Sequence, residues 1–162
     1  MQSNSSQDAP EITIDGVEVV PLRFHHDARG WLVEVYRQDE IGVRPLMTYV
    51  SQTRPGVARG PHEHREQADV FAFMGPSTFR IYLWDGRQDS RTHGHHMRFE
   101  AGESWPARVV VPPGVVHAYK NIGERDGIVV NCPDRLYAGQ GRREPVDEIR
   151  WEDDPSGRYR LD

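Results

Sequence analysis

Short apolar segments, separated by turn residues, follow one another along almost the whole chain. Within several of them apolar and polar residues alternate, which is the pattern of a strand with one face buried. No segment keeps a long apolar period of the helical kind. The predicted strands are 31–36, 46–53, 70–74, 78–84, 109–111, 115–119 and 128–130. This pattern predicts an all-β domain, a sandwich or barrel of the jelly-roll kind.

The connections between the strands are predicted from their turn residues. Asp15-Gly16, between the apolar runs 12–14 and 17–20, is a strong hairpin signal because both residues tolerate a positive φ. The polar segments 23–30 and 87–96 are predicted to be a turn and a loop. The chain is therefore expected to open with a β-hairpin.

The two ends of the chain differ in character from the middle. Residues 1–10 are mostly polar and are predicted to be a disordered N-terminus. The last stretch, 134–162, is polar with isolated apolar residues, and we expect it to pack peripherally rather than to form a second domain. Residues 11–162 are therefore predicted to be a single domain.

Composition narrows the classes of protein to which the chain can belong. It has 162 residues and a single cysteine, Cys132, so no intramolecular disulfide is possible and a reducing, cytoplasmic setting is expected. The N-terminus lacks the basic and apolar regions of a signal peptide, and no apolar run is long enough to span a bilayer. A net charge of -5 argues against a nucleic-acid platform. Neither a membrane nor a nucleic acid is therefore expected as a partner.

Three histidines and an aspartate are the candidates for chemistry. In an extended segment, residues two apart point to the same face, so His62 and His64 can aim at one point. Asp69 follows five residues later, and His117 comes three residues after a turn glycine. Converging imidazoles indicate a proton-transfer site or a metal site, and this set of four would suit Zn, Fe, Mn or Ni. The alternative is that these side chains only pack or face solvent.

The segments around these residues resemble known motifs. The spacing Gly-x5-His-x-His-x4-Asp-x5-Gly over 56–75, followed by His117, resembles the paired motifs of the cupin superfamily, with Asp69 where that pattern usually has Glu. Four pieces in order resemble the signature of the dTDP-4-dehydrorhamnose 3,5-epimerase family, namely 27–34, 59–62, 111–118 and 149–153. The resemblance covers nearly all of residues 12–154. It implies a cupin β-barrel, a double-stranded β-helix.

The resemblance also implies a reaction, which is proton transfer next to the carbonyl of a nucleotide-linked keto sugar. His62 would be the base, and Arg59 would stabilise the enolate or a phosphate. Arg29 matches an arginine that contacts the diphosphate, often across the interface of a homodimer. The proton-transfer reaction requires no cofactor. The other residues assigned to the site are His117 and Tyr119 as catalytic groups, and Glu34, His64 and Lys120 as substrate contacts.

Three features of the family are missing at the expected places. The catalytic tyrosine falls at Val130 and the lysine near Ala68, and the acid that partners the catalytic histidine lies in a C-terminal tail that this chain is expected to lack. Tyr119 and Tyr82 are the alternative acids. Two other functions stay open: a metal-dependent cupin, similar to the sugar-nucleotide 3,4-ketoisomerases or to a dioxygenase, and a sugar-binding cupin without catalysis.

Overall fold

The computed structural model describes residues 9–162, so the greater part of the segment predicted to be disordered, residues 1–8, lies outside the described residues. The described residues form twelve β-strands and two short 3-10 helices, Gln140–Arg142 and Trp151–Asp153. The strands are β1 (Glu18–Pro21), β2 (Phe24–Asp27), β3 (Gly30–Val33), β4 (Tyr49–Thr53), β5 (Ala58–Glu63), β6 (Asp69–Phe73), β7 (Thr78–Asp85), β8 (His96–Gly102), β9 (Ala107–Val111), β10 (Val115–Asn121), β11 (Gly127–Asn131) and β12 (Ile149–Arg150). The predicted all-β class is confirmed.

Most of the strands build two antiparallel five-stranded sheets that face each other. Sheet A has the strand order β1-β9-β6-β11-β4, and sheet B has the order β12-β5-β10-β7-β8. β2 and β3 pair separately as a hairpin. Because most neighbours within a sheet are far apart in sequence, the chain crosses repeatedly between the sheets, which is the arrangement of a jelly roll. The predicted fold is therefore confirmed.

The apolar core lies between the two sheets and includes an aromatic cluster. The rings of Phe71, Phe73 and Phe79 surround Tyr119, with ring centroids between 5.4 and 5.7 Å from it. Each ring of this size stabilises the fold by about 1.5–3 kcal/mol through burial. A smaller apolar cluster on the outer face of sheet A contains Cys132.

Of the predicted opening hairpin, the turn and the second strand form, but the first strand does not, so this prediction is partly wrong. The turn itself forms, with the Val17 N–H donating to the Ile14 carbonyl at 3.2 Å, but residues 12–14 are not a strand. β1 pairs instead with β9, placing Glu18 opposite Val110. A turn signal specifies a local reversal of the chain, whereas the partner of a strand depends on which sheet edge can bury its apolar face.

The sequence pattern predicts no strand at β2, at β8 or at the two-residue β12. β2 occupies part of the polar segment 23–30 and pairs with β3. β8 alternates outward polar residues with Met97, Phe99 and Ala101, which belong to the core. β2 has a single apolar residue, Phe24, so no apolar alternation marks it as a strand. The alternation of β8 is present in the sequence, and the sequence interpretation overlooked it.

The C-terminal stretch packs on the outside of the barrel, as expected, and also contributes to its structure. β12 extends sheet B by pairing with β5, with Arg150 opposite His62. Next to it, the Trp151 indole N–H donates to Glu63 at 2.8 Å. Among residues 9–162, no helix has the length and apolar character needed to cross a bilayer.

Candidate active site

A cavity of about 750 Å³ lies between the two sheets at one end of the barrel. This volume is typical of small-molecule sites. Its walls come from β4, β5, β6 and β10 and from the irregular segment 133–148. The predicted site residues that line it are Arg59, His62, His64, His117 and Tyr119.

A bulge in β5 brings Arg59 and His62 to the same face of sheet B, although they are three residues apart. On the neighbouring β10, His117 lies opposite His62 and Tyr119 lies opposite Arg59, so the register shifts between them. Gly60 lies within the bulge at φ +84°, and a Cβ there would lie 2.6 Å from the His117 carbonyl oxygen. Glycine is therefore required at this close approach of two strands.

The three predicted histidines converge. The ring centroid of His117 lies 6.3 Å from that of His62 and 5.6 Å from that of His64. The second motif thus places His117 beside both histidines of the first motif, although His62 and His64 have different polar partners. His117 is buried, whereas His62 lies nearer the mouth of the cavity, with 22% of its side chain exposed.

His62 lies between two carboxylates of the C-terminal stretch. Its Nε2 is 2.8 Å from Glu152 Oε1, and its Nδ1 is 3.6 Å from Glu148 Oε1. Burial alone raises the pKa of Glu152, but hydrogen bonds from its own backbone N–H, His62 and Arg150 outweigh it and hold that pKa below its usual value. Glu152 is therefore ionised at neutral pH. The expectation that the histidine lacks a partner acid is wrong.

Arg59 brings positive charge to the cavity and is fixed to the neighbouring strand. Its Nε donates to Thr53 Oγ1 at 2.9 Å, and its Nη2 donates to the Gln52 carbonyl at 2.7 Å. These two bonds hold the guanidinium against β4, while the side chain lines the cavity. A cation held in this way can stabilise a negative charge that develops on a bound molecule.

His64, Asp69 and His117 form a compact group beside His62. Asp69 Oδ2 lies 3.4 Å from His64 Nε2 and 3.6 Å from His117 Nε2. The Nδ1 atoms of the two rings face backbone carbonyls, those of Asp147 and Val115 respectively. Burial lowers the pKa of His117 to about 4, because a buried imidazolium loses its solvation. The His117 ring is therefore neutral at pH 7.

The residue types of this group fit a divalent metal. Two imidazole nitrogens and one carboxylate oxygen are ligands that zinc accepts, and ligands about 2.0–2.1 Å from a tetrahedral zinc lie roughly 3.3 Å apart. Among the described residues, the ligand atoms of His64, Asp69 and His117 lie within 4.8 Å of one another. His62, the fourth predicted ligand, does not belong to this group, since its nitrogens face Glu148 and Glu152.

Two tyrosines of the cavity differ in depth. Tyr119 is 6% exposed, and its hydroxyl lies 3.2 Å from Ser51 Oγ at the floor of the cavity. Tyr49 is 41% exposed, and its hydroxyl accepts a hydrogen bond from Asn131 Nδ2 at 2.9 Å. Burial of the two hydroxyls raises the pKa of both tyrosines, so both are protonated at neutral pH.

Three of the predicted substrate contacts lie outside the cavity of their own chain. Arg29 is at the tip of the β2–β3 hairpin, 91% exposed and paired with Asp27 at 2.5 Å. Glu34 follows β3 and pairs with Arg37. Lys120 is on the outer face of β10, where its ammonium donates to the Asp162 carbonyl at 3.1 Å. The predicted contact between Lys120 and a molecule in the cavity does not fit this position.

The sequence interpretation missed the residues that hold the segment 133–148, which forms the outer wall of the cavity. Asp147 accepts hydrogen bonds from the backbone N–H groups of Arg65, Glu66 and Gln67, at 2.8 to 3.0 Å. Asp134 accepts from the Ala68 N–H at 2.8 Å. No local spacing could reveal these contacts, because their partners are more than sixty residues apart. Glu152, by contrast, lies inside the segment 149–153 that carries the family resemblance.

The chain matches one family model over most of its length. The model, dTDP-4-dehydrorhamnose 3,5-epimerase, covers residues 11–157. The chain belongs to this family. Its members are sugar epimerases or isomerases, so the protein is an enzyme of that class.

Individual relatives agree with this assignment. The chain is 41% identical over 128 residues to a probable low-salt glycan biosynthesis epimerase, Agl13, of Haloferax volcanii, which covers 76% of this chain and 81% of the relative. It is 32% identical over 145 residues to the spore coat polysaccharide biosynthesis protein SpsL of Bacillus subtilis, covering 89% and 94%. The crystal structure of a dTDP sugar isomerase from Desulfovibrio desulfuricans superposes with a TM-score of 0.78 at 22% identity, covering 94% of both chains. At that identity the likeness concerns the fold.

Proposed function

We propose that the protein epimerises a nucleotide-linked 4-keto-6-deoxy sugar by moving protons at the carbons next to its carbonyl. The observation that carries this proposal is the pairing of His62 with Glu152 in a cavity that also contains Arg59. A histidine oriented by a carboxylate is a general base suited to neutral pH. The family to which the chain belongs supports a dTDP-linked substrate.

In this proposal each nitrogen of the base has its own role. With its Nε2–H donating to Glu152, the His62 ring presents an unprotonated Nδ1. Nδ1 removes the proton from the carbon, the electrons of the C–H bond move onto the carbonyl oxygen, and an enolate forms. The Arg59 guanidinium is the cation that stabilises this charge, and Glu148 stabilises the protonated ring. Return of a proton to the other face of the carbon inverts it.

Deuterium exchange tests this function. The protein is incubated with dTDP-4-keto-6-deoxyglucose in deuterated water, and the protons at C3 and C5 are followed by NMR. We expect exchange with the wild type and its loss in His62→Asn, while His93→Asn, a change in an exposed loop, leaves the rate unaltered. Absence of deuterium uptake with this and other nucleotide-linked keto sugars would contradict the proposal.

The substrate site extends, in our proposal, across a homodimer interface. Large apolar side chains are exposed on the β2–β3 hairpin and near β4: Trp31, Leu32, Leu46 and Val50. Exposed apolar surface is a common interaction site. Pairing of two chains through it would cover these residues and leave Arg29 and Glu34 available to a cavity other than their own. The reaction is placed in the cytoplasm, where the single cysteine stays reduced.

A metal-dependent reaction is a second candidate function, and the grouping of His64, Asp69 and His117 favours it. A divalent ion there would supply a Lewis acid for a carbonyl oxygen. Elemental analysis of the purified protein tests it, with about one transition metal per chain expected. His62→Asn should keep the metal and Asp69→Ala should lose it. Protein that is metal-free and takes up no zinc on titration would rule this candidate out.

A further inference from the structure

Inversion of a carbon needs two groups on different sides of the sugar ring. A base that removes a proton from one face and returns it to that face regenerates the starting sugar. If the function proposed above holds, with His62 as the base, a second group must therefore deliver a proton to the other face. We propose that Tyr49 is this acid.

The position of Tyr49 meets the first requirement. His62 projects from β5 of sheet B, whereas Tyr49 projects from β4 of sheet A, and both side chains line the same cavity. Along β4, Tyr49 and Ser51 point into the cavity, while Val50 between them is exposed on the outer face. A ring held in the cavity thus has His62 and Tyr49 on different walls.

The hydrogen bonds of Asn131 fix the direction of the Tyr49 proton. Asn131 lies opposite Tyr49 on the neighbouring β11. Its Oδ1 accepts from the Val70 backbone N–H at 3.2 Å, so its Nδ2 must be the donor to its other partners. Nδ2 donates to Asp69 Oδ1 at 2.8 Å and to the Tyr49 hydroxyl at 2.9 Å.

The Tyr49 oxygen is thus an acceptor toward Asn131, and its own proton points elsewhere. Within residues 9–162, no side chain or backbone group is recorded as accepting that proton, so it is available to a molecule in the cavity. When the proton leaves, the Asn131 N–H stabilises the phenolate oxygen that remains. Burial keeps the pKa of Tyr49 high enough for the hydroxyl to be protonated before the reaction.

The proton balance of the step is complete. The O–H bond of Tyr49 breaks, and the electron pair of the enolate forms the new C–H bond, which restores the carbonyl. His62 keeps the proton that it removed from the opposite face and loses it to water, and the phenolate regains a proton from water. No other reactant is needed.

Tyr119, which the sequence assigned as a catalytic group, is a rival donor, and its surroundings argue against it. Its ring is enclosed by Phe71, Phe73 and Phe79, and it is almost fully buried at the floor of the cavity. Its hydroxyl is already bonded to Ser51. Tyr119 also projects from β10, the neighbour of β5 in sheet B, so it comes from the same wall of the cavity as His62.

The experiment separates proton removal from inversion. Wild type, Tyr49→Phe, Tyr119→Phe and a matched control, Tyr82→Phe, are incubated with dTDP-4-keto-6-deoxyglucose in deuterated water, and NMR follows both deuterium uptake and the inverted product. Tyr82, which the sequence offered as an alternative acid, does not line the cavity: it is on the outer face of sheet B, where its hydroxyl bonds to Asp162 at 2.6 Å. Thermal unfolding of each variant establishes that it is folded.

We expect Tyr49→Phe to take up deuterium with retained configuration, while the inverted product falls by about 100-fold or more. Tyr82→Phe should behave as the wild type does. The proposal is overturned if Tyr49→Phe inverts the sugar at the wild-type rate, if it loses uptake and inversion equally, or if Tyr119→Phe alone shows the split. A wild-type protein that takes up no deuterium would instead overturn the proposed function, and the acid role with it.

Discussion

The side chain of His62 is paired with carboxylates that lie about ninety residues later in the chain. A carboxylate bonded to one nitrogen of an imidazole fixes the tautomer and stabilises the ring once it is protonated. Glu152 is closer to His62 than Glu148, at 2.8 Å against 3.6 Å. Removing the nearer carboxylate should therefore affect the base more strongly than removing the other.

Glu152→Gln tests this pairing. The change keeps the size of the side chain but removes its charge, so we expect the rate of deuterium exchange to fall by about 10- to 100-fold. Glu148→Gln should have a smaller effect. Asp153→Asn is the control, since Asp153 belongs to the same 3-10 turn and its carboxylate pairs with Arg150, at 3.7 Å, rather than with His62. A Glu152→Gln protein as fast as the wild type would show that the pairing does not assist the base.

At the scale of the element, the bulge in β5 is what sets His62 and Arg59 on one face. Gly60 and Gly56 both have positive φ, at +84° and +74°, but only Gly60 has backbone atoms in the place of a Cβ. Comparing substitutions at Gly56 and Gly60 therefore separates two destabilising effects. One is the strain of a positive φ in a residue with a side chain, and the other is the collision of that side chain with the neighbouring strand.

Gly60→Ala should lower the free energy of unfolding by about 2 kcal/mol more than Gly56→Ala does, because overpacking adds to the conformational strain. Urea unfolding of the two variants measures the difference. Gly60→Ala should also slow deuterium exchange, since β5 must shift to relieve the contact with the His117 carbonyl. An equal loss of unfolding free energy in the two variants would mean that β5 can move to accommodate the added methyl group without destabilising the fold.

The loop between β7 and β8 is organised by a buried carboxylate. Asp85 accepts hydrogen bonds from Arg87, Ser90 and Thr92 at 2.6 to 2.8 Å. Burial alone raises the pKa of Asp85, but these bonds outweigh it and bring that pKa well below its ordinary value. The stability that Asp85 contributes is thus fully present above about pH 4 and is lost as the pH falls below that.

Asp85→Asn should lower the free energy of unfolding at pH 7 by about 2 kcal/mol, because the charged hydrogen bonds are lost. The difference in the free energy of unfolding between variant and wild type should become smaller below about pH 4, because the Asp85 carboxylate of the unfolded wild-type chain takes up a proton there. Urea unfolding at pH 7 and pH 3 measures both effects. Asp89→Asn, an exposed position in the same loop, should match the wild type at each pH. A gap that stays constant with pH would contradict the ionised state of Asp85.

Sequence patterns predict those parts of the fold that depend on neighbouring residues. The alternation in β7 and the turn at Pro112-Pro113-Gly114 are local, and both are present in the structure. The spacing of His62 and His64 likewise reports a local geometry. Other contacts join residues that are far apart in the sequence, so no short segment of the sequence contains both partners. They are the pairing of β1 with β9, the contact of His62 with Glu152, and the Tyr49–Asn131 hydrogen bond.

At the scale of the whole molecule, the position of Arg29 outside its own cavity gives a test of assembly. If Arg29 serves the cavity of a partner chain, Arg29→Ala and His62→Asn chains are each inactive alone but complement each other in a mixed dimer. Co-expression with two different tags provides the mixed species.

One site of each mixed dimer then has both an intact His62 and an intact partner Arg29. With random assortment, the mixture should recover on the order of a quarter of the wild-type rate. Size-exclusion chromatography with light scattering establishes that the variants are dimers. A mixture no more active than its parents would mean that Arg29 acts within its own chain or not at all.

The outer wall of the cavity is fastened at two points, Asp134 and Asp147, and has little regular secondary structure between them. The stretch from 135 to 146 can therefore vary in length and chemistry while both fastenings and the histidine base stay where they are. Exchange of that stretch between relatives is a route to new sugar or nucleotide preferences on an unchanged reaction centre. For protein engineering, this means that substrate selectivity can be changed by replacing residues 135–146 without altering the residues that move the proton.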